Sequence, residues 1–131
     1  MAKGVPERTF EAGEIEARLA RELPDWRLLD GWIVRTYRTA GWKSTLMAVN
    51  AIGHLAEAAW HHPDLLVTYA AVEVRLRNHA AKGITEKDFE LAAKLDGVIL
   101  WRPGDEGGAL TGTPSDDPRF AYLKYQDGPS P

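Results

Sequence analysis

Trp26-Arg27-Leu28-Leu29-Asp30-Gly31-Trp32-Ile33-Val34-Arg35-Thr36-Tyr37-Arg38-Thr39 consists of two runs of aromatic and branched residues on either side of Asp-Gly. A type I′ turn needs positive φ at both central residues, and Asp-Gly meets that need at low steric cost, so the stretch predicts a two-stranded antiparallel hairpin. Upstream, Ile15, Leu19 and Leu23 recur every four residues among Glu and Arg, which predicts a surface helix starting near Glu11 and stopped by Pro24. Downstream of Gly41, residues 42–60 carry the longest helical pattern, with Trp42, Thr45, Leu46, Val49, Ile52, Leu55, Ala56 and Ala59 as a wide apolar stripe. Pro63 ends it, because the residue before a proline is pushed out of the α region.

Residues 65–69 read as a short extended segment and 71–79 as a strand. In the latter, Val72, Val74 and Leu76 alternate with Glu73, Arg75, Arg77 and His79, so one face packs and the other points out. Thr85 with Asp88 three residues later opens a third helix as a capping box, with Phe89, Ala92, Leu95, Val98 and Ile99 as its buried stripe. The order α-β-β-α-β-β-α predicts an α+β fold: a four-stranded antiparallel sheet with three helices on one face. We expect one domain over residues 1–101. Residues 102–131, rich in Gly and Pro, form a C-terminal extension whose aromatic segment 119–125 docks on the body or a neighbouring subunit.

Composition narrows the function. Net charge is −3 and the basic residues are scattered as singles, which gives no field to gather nucleic acid or an anionic membrane surface. With no cysteine, thiolate nucleophiles, disulfides and zinc–thiolate sites are excluded. The N-terminal residues contain no apolar signal-like core, and no segment approaches the uninterrupted apolar length of a membrane span, so we expect a soluble cytoplasmic protein. The glycine-rich segment from Gly104 to Gly112 lacks the Gly-Lys-Ser/Thr ending of a phosphate loop.

Three of the four histidines fall between residues 57 and 88. His61 and His62 end the second helix, where the macrodipole favours a positive charge by roughly 0.3–1 kcal/mol. His79 ends the strand. His54, Glu57 and His61 share a helix face at i, i+3, i+7, but without an open-coordination motif that spacing assigns no metal.

Glu57, His61-His62-Pro63, Tyr69, His79 and Asp88, at these intervals, closely resemble the signature of the pterin-4a-carbinolamine dehydratases, and the resemblance covers about residues 10–100. It implies an α+β sandwich that assembles into homodimers or homotetramers. It also implies loss of water from 4a-hydroxytetrahydropterin to give quinonoid dihydropterin, with a pterin as the small-molecule substrate and with no metal or cofactor. By the same resemblance His61, His62 and His79 are the catalytic acid–base set, tuned by Glu57 and Asp88, and Trp60, Pro63, Tyr69 and Asn78 shape the substrate cleft. The chain departs from the usual pattern at Asn78, where Thr is common, and at Trp60, Leu65 and Ala80. The extension resembles a second group. Leu100-Trp101, Gly112-Thr113-Pro114 and Asp117-Pro118 through Tyr125 look like the tail of dehydratase-like RuBisCO assembly factors of the α-carboxysome. That likeness implies RuBisCO as a partner, a chaperone role and a place beside carboxysomes.

Overall fold

The computed structural model describes residues 7–114 and 120–124. Helix α1 (Ala12–Glu22) is capped by Glu11 and Glu14, each side chain meeting the other's backbone N–H. Strands β1 (Arg27–Leu29) and β2 (Trp32–Thr39) flank Asp30 and Gly31, whose φ values of 51° and 84° are those of the expected turn. Helix α2 (Trp42–Ala59) is followed by β3 (Asp64–Thr68), β4 (Ala71–Leu76) and helix α3 (Glu86–Ile99). A short 3₁₀ turn at Pro103–Glu106 and a two-residue strand β5 (Leu123–Lys124) complete the described chain.

All strand pairs are antiparallel, in the order β1-β2-β4-β3, and β5 adds to β2 on the same side as β1, at Arg38 and Thr39. Alternation sorts β2 and β4 cleanly. Ile33, Tyr37, Val72, Val74 and Leu76 point into one core with Ile15, Leu19, Ile52, Phe89 and Leu95 from the three helices. The helices therefore cover one face, and Leu123, 2% exposed, belongs to the same core.

Two buried polar arrangements fix the helices to the sheet. Thr45 of α2 donates to the Tyr69 carbonyl (2.9 Å), and its hydroxyl lies 2.6 Å from that of Thr39. Asp96 of α3 accepts from Trp26 Nε1 (3.1 Å), Arg35 Nη1 (3.1 Å) and the Tyr37 hydroxyl (2.5 Å). Burial and the facing Asp96 carboxylate push the Tyr37 hydroxyl far above its ordinary pKa.

The structure corrects three local expectations. The strand expected over 71–79 ends at Leu76, because Asn78 leaves the ladder to form a bridge with Gly83 (2.9 and 3.3 Å). In α2 the buried line is Ser44, Thr45, Ala48, Ile52 and Ala56, while Trp42, Leu46 and Ala59 of the expected stripe are exposed. The small residues of that line, Ser44, Ala48 and Ala56, let the helix lie closer to the sheet than the bulky Trp42 and Leu46 would. Val98 is likewise exposed on α3.

Candidate active site

The end of α2 is unusual. Trp60 caps the helix in the left-handed conformation (φ 53°, ψ 47°), with its backbone N–H on the Glu57 carbonyl (3.1 Å). That reversal throws His61 inward and His62 outward. His61 is largely buried, whereas His62 is half exposed. Its imidazole Nε2 lies 2.9 Å from Glu57 Oε1, and its ring meets the Trp60 indole edge-on at 4.9 Å. The Trp60 side chain itself is 73% exposed.

His61 Nε2 lies 2.6 Å from Asp88 Oδ1. Asp88 has no exposed surface, since the capping box at the start of α3 turns it inward: its Oδ2 accepts from the Thr85 N–H at 2.8 Å. Burial pushes the Asp88 carboxyl above the usual aspartate range, opposed by the Thr85 N–H and by His61. Asn78 extends the chain of contacts, donating to Thr85 Oγ1 (3.3 Å) and to Glu7 (3.0 Å), and Glu7 also pairs with Lys87 (2.7 Å). The hydrogen bond from Lys87 holds Glu7 below its ordinary pKa.

A hollow of about 430 Å³ opens between α2 and α3. Leu55, Ala58, Ala59 and Leu91 make its apolar wall; His61, Lys87, Glu90 and Lys94 are the polar groups on it. With Nε2 engaged by Asp88, Nδ1 is the ring nitrogen of His61 left for a ligand, and it has no hydrogen-bond partner among the described residues. An imidazole held through one nitrogen by a buried carboxylate is oriented for proton transfer through the other.

The expected residues thus fall into separate groups. The structure joins His61 to Asp88, and through Thr85 to Asn78; it joins His62 to Glu57 and Trp60. Pro63, half-buried, leads directly from His62 into β3. His79 is exposed, with its ring against Trp32 at 5.6 Å, and neither His79 nor His62 lines the hollow. Tyr69 is not at this site. Its ring lies over Gly41, where an added Cβ would come within 3.3 Å of Tyr69 Oη. Gly41 precedes α2 while His61 follows it, and 18 helical residues span about 27 Å. The spacing from His61 to Tyr69 is that of one strand, which carries the side chain to the other end of the sheet. Glu7 and Lys87 are site residues that periodicity does not signal, because Glu7 lies in an irregular segment pinned by Phe10 N–H to the Ile84 carbonyl (2.9 Å).

Fold and site together define an α+β protein with a histidine–carboxylate pair at the meeting of two helix ends. The chain belongs to the pterin 4 alpha carbinolamine dehydratase family, whose sequence pattern matches residues 8–98. A provisionally named pterin-4-alpha-carbinolamine dehydratase of Aquifex aeolicus is 44% identical over 87 residues, 64% of this chain and 88% of its own. A like-named protein of Chloroflexus aurantiacus is 45% identical over 87 residues, 64% and 94% of the two chains, and one of Paracidovorax citrulli is 43% identical over 96, 70% and 82%. The crystal structure of a transcriptional coactivator/pterin dehydratase from Brucella melitensis superposes with a TM-score of 0.64 at 24% identity. It covers 70% of this chain and 99% of that one, a likeness of fold.

Proposed function

We propose that this protein is a pterin-4a-carbinolamine dehydratase, converting 4a-hydroxytetrahydropterin to quinonoid dihydropterin and water by histidine acid–base catalysis. The observation that carries the reading is His61 on the wall of a hollow large enough for a bicyclic ring, held from behind by the buried Asp88. The elimination breaks the C4a–O and N5–H bonds and forms the C4a=N5 double bond. One group must therefore protonate the departing hydroxyl and another must accept the N5 proton. An ionised Asp88 holds the Nε2 proton of His61, which leaves Nδ1 to exchange a proton with the ligand. The second proton-transfer group is assigned by the family resemblance alone to His62, held by Glu57, or to His79, both of which stand outside the hollow, with Trp60, Pro63 and Asn78 as the neighbouring surface. No step in this elimination requires electron transfer.

Purified protein should accelerate breakdown of 4a-hydroxytetrahydropterin over buffer, and His61→Ala should remove about 10²–10⁴-fold of that acceleration. Turnover no faster than buffer refutes the reading.

A second reading, a RuBisCO assembly factor, draws on one observation: Leu123, outside the matched residues 8–98, is built into the core. A tail that completes a sheet beyond the shared domain suits a binding role added to the scaffold. Co-expression should then raise the yield of assembled carboxylase, and deleting residues 102–131 should reduce it. An unchanged yield rejects this second reading.

A further inference from the structure

We propose that the sheet face opposite the helices is a docking surface for an extended acidic segment of a partner protein. Ile33, Arg35 and Tyr37 point to the helices, so Trp32, Val34, Thr36 and Arg38 point the other way, and register places Arg27 and Arg75 on either side of Val34. Glu73 lies opposite Thr36, Lys124 opposite Arg38, and Asp64 opposite Arg75. Arg77 continues the outward row of β4 one step past the strand end.

Basic residues that look scattered in sequence are thereby gathered on one surface. Arg27, Arg38, Arg75, Arg77 and Lys124 face two carboxylates, Glu73 and Asp64, an excess of three positive charges on a chain whose net charge is −3. The carboxylates do not neutralise the set. Glu73 takes Arg75 (2.8 Å) and Arg27 (4.0 Å), whereas Arg38 and Arg77 have no ion-pair partner among the described residues, and the Nε of each is buried without a hydrogen bond. Val34 is 0% exposed yet stands apart from the helix-side core, as expected if arginine stems cover it.

Three features select the occupant. Four of the five cations are arginines, whose planar fork binds carboxylates in pairs. Arg75 and Arg77 lie two residues apart on an extended chain, about 6.6 Å, the same interval that separates alternate side chains of an extended peptide. Glu73 sits in the middle of the face beside the exposed Leu66. A continuous phosphate backbone would have to pass that carboxylate, while a peptide can set its own acidic groups to either side and an apolar group on Leu66.

The test uses the full chain and a fluorescein-labelled peptide of alternating Glu and Leu, with a single-stranded 20-mer oligonucleotide as the competing class, both titrated by anisotropy at low and moderate salt. The peptide should bind saturably and weaken with salt. Arg38→Gln combined with Arg77→Gln should weaken it at least tenfold, and Lys43→Gln on α2 should leave it unchanged. Absence of binding, equal binding by the double variant, or tighter binding of the oligonucleotide overturns the proposal. If the glutamine pair does not fold, Arg38→Lys with Arg77→Lys keeps the charge and removes the fork, and undiminished binding by that variant is equally decisive against it.

Discussion

Nε2 of His61 lies 2.6 Å from Oδ1 of Asp88, a carboxyl group with no exposed surface that also caps the third helix. One side chain therefore starts a helix and orients an imidazole, so its titration links stability to site chemistry. The folded pKa of Asp88 is raised, chiefly by burial. The native state then holds the proton at pH values where the unfolded chain, titrating near 3.9, has lost it. The stability contributed by this group is present below about pH 3.9 and is lost as pH rises through the raised native value. Asp88→Asn removes the titration and keeps an oxygen for the Thr85 N–H. The unfolding free energy of Asp88→Asn minus that of the native protein should rise with pH from about 4 and then level. Urea denaturation from pH 3.5 upward measures it. A difference that falls over this range would mean that His61 and the Thr85 N–H outweigh burial.

Trp60 occupies a left-handed cap while 73% exposed, so little burial offsets the conformation. For an ordinary L-residue that conformation costs about 1–2 kcal/mol, whereas asparagine tolerates it. Trp60→Asn should stabilise the fold by roughly 0.5–1 kcal/mol, a gain visible as a higher denaturant midpoint at constant slope. If the edge-on contact with His62 is worth more than the strain, the midpoint falls instead.

Much of this was legible in the sequence because it depends on local rules. Asp30-Gly31 specified the hairpin, Pro63 the helix end, and Thr85 with Asp88 the capping box, and that box is what directs Asp88 inward. Tyr69 was illegible as a distant residue, since spacing alone does not say that a strand runs away from the helix end preceding it. The Asp96 cluster was hidden for a similar reason: its partners come from positions 26, 35 and 37, and only the packed sheet brings them to α3. The arginines of the open face were visible one by one, but period-two alternation had to be combined with strand order before they became a surface.

The Asp96 cluster should be a main determinant of stability. Arg35 is buried on the helix side, and its other acidic neighbour, Asp25, is more exposed and lies at 3.4 Å. Asp96→Ala leaves the guanidinium without its nearer partner and strips acceptors from the Trp26 indole and the Tyr37 hydroxyl. Loss of one partner of a buried pair costs about 3–5 kcal/mol, and the partial exposure of Asp96 points to the lower end. Denaturant unfolding should show a loss of about 3 kcal/mol; a loss below about 1 kcal/mol would place the pair among surface salt bridges.

The last described strand offers a separate test of how the C-terminal segment is held. Leu123 is 2% exposed in the helix-side core, Ala40 N–H meets the Tyr122 carbonyl at 3.0 Å, and β5 pairs with Arg38 and Thr39. A leucine so placed contributes through apolar contact, and truncating it leaves a cavity that a two-residue strand has little means to close. Leu123→Ala should therefore cost about 2–4 kcal/mol. Chains ending before residue 120 should lose a similar amount, because they lose the same side chain along with its short ladder. If both variants unfold at the native midpoint, the segment rests on the body without stabilising it, and the family domain alone sets the stability. If Leu123→Ala is destabilised while the truncated chain is not, the segment is held in place at an entropic cost equal to what its leucine contributes.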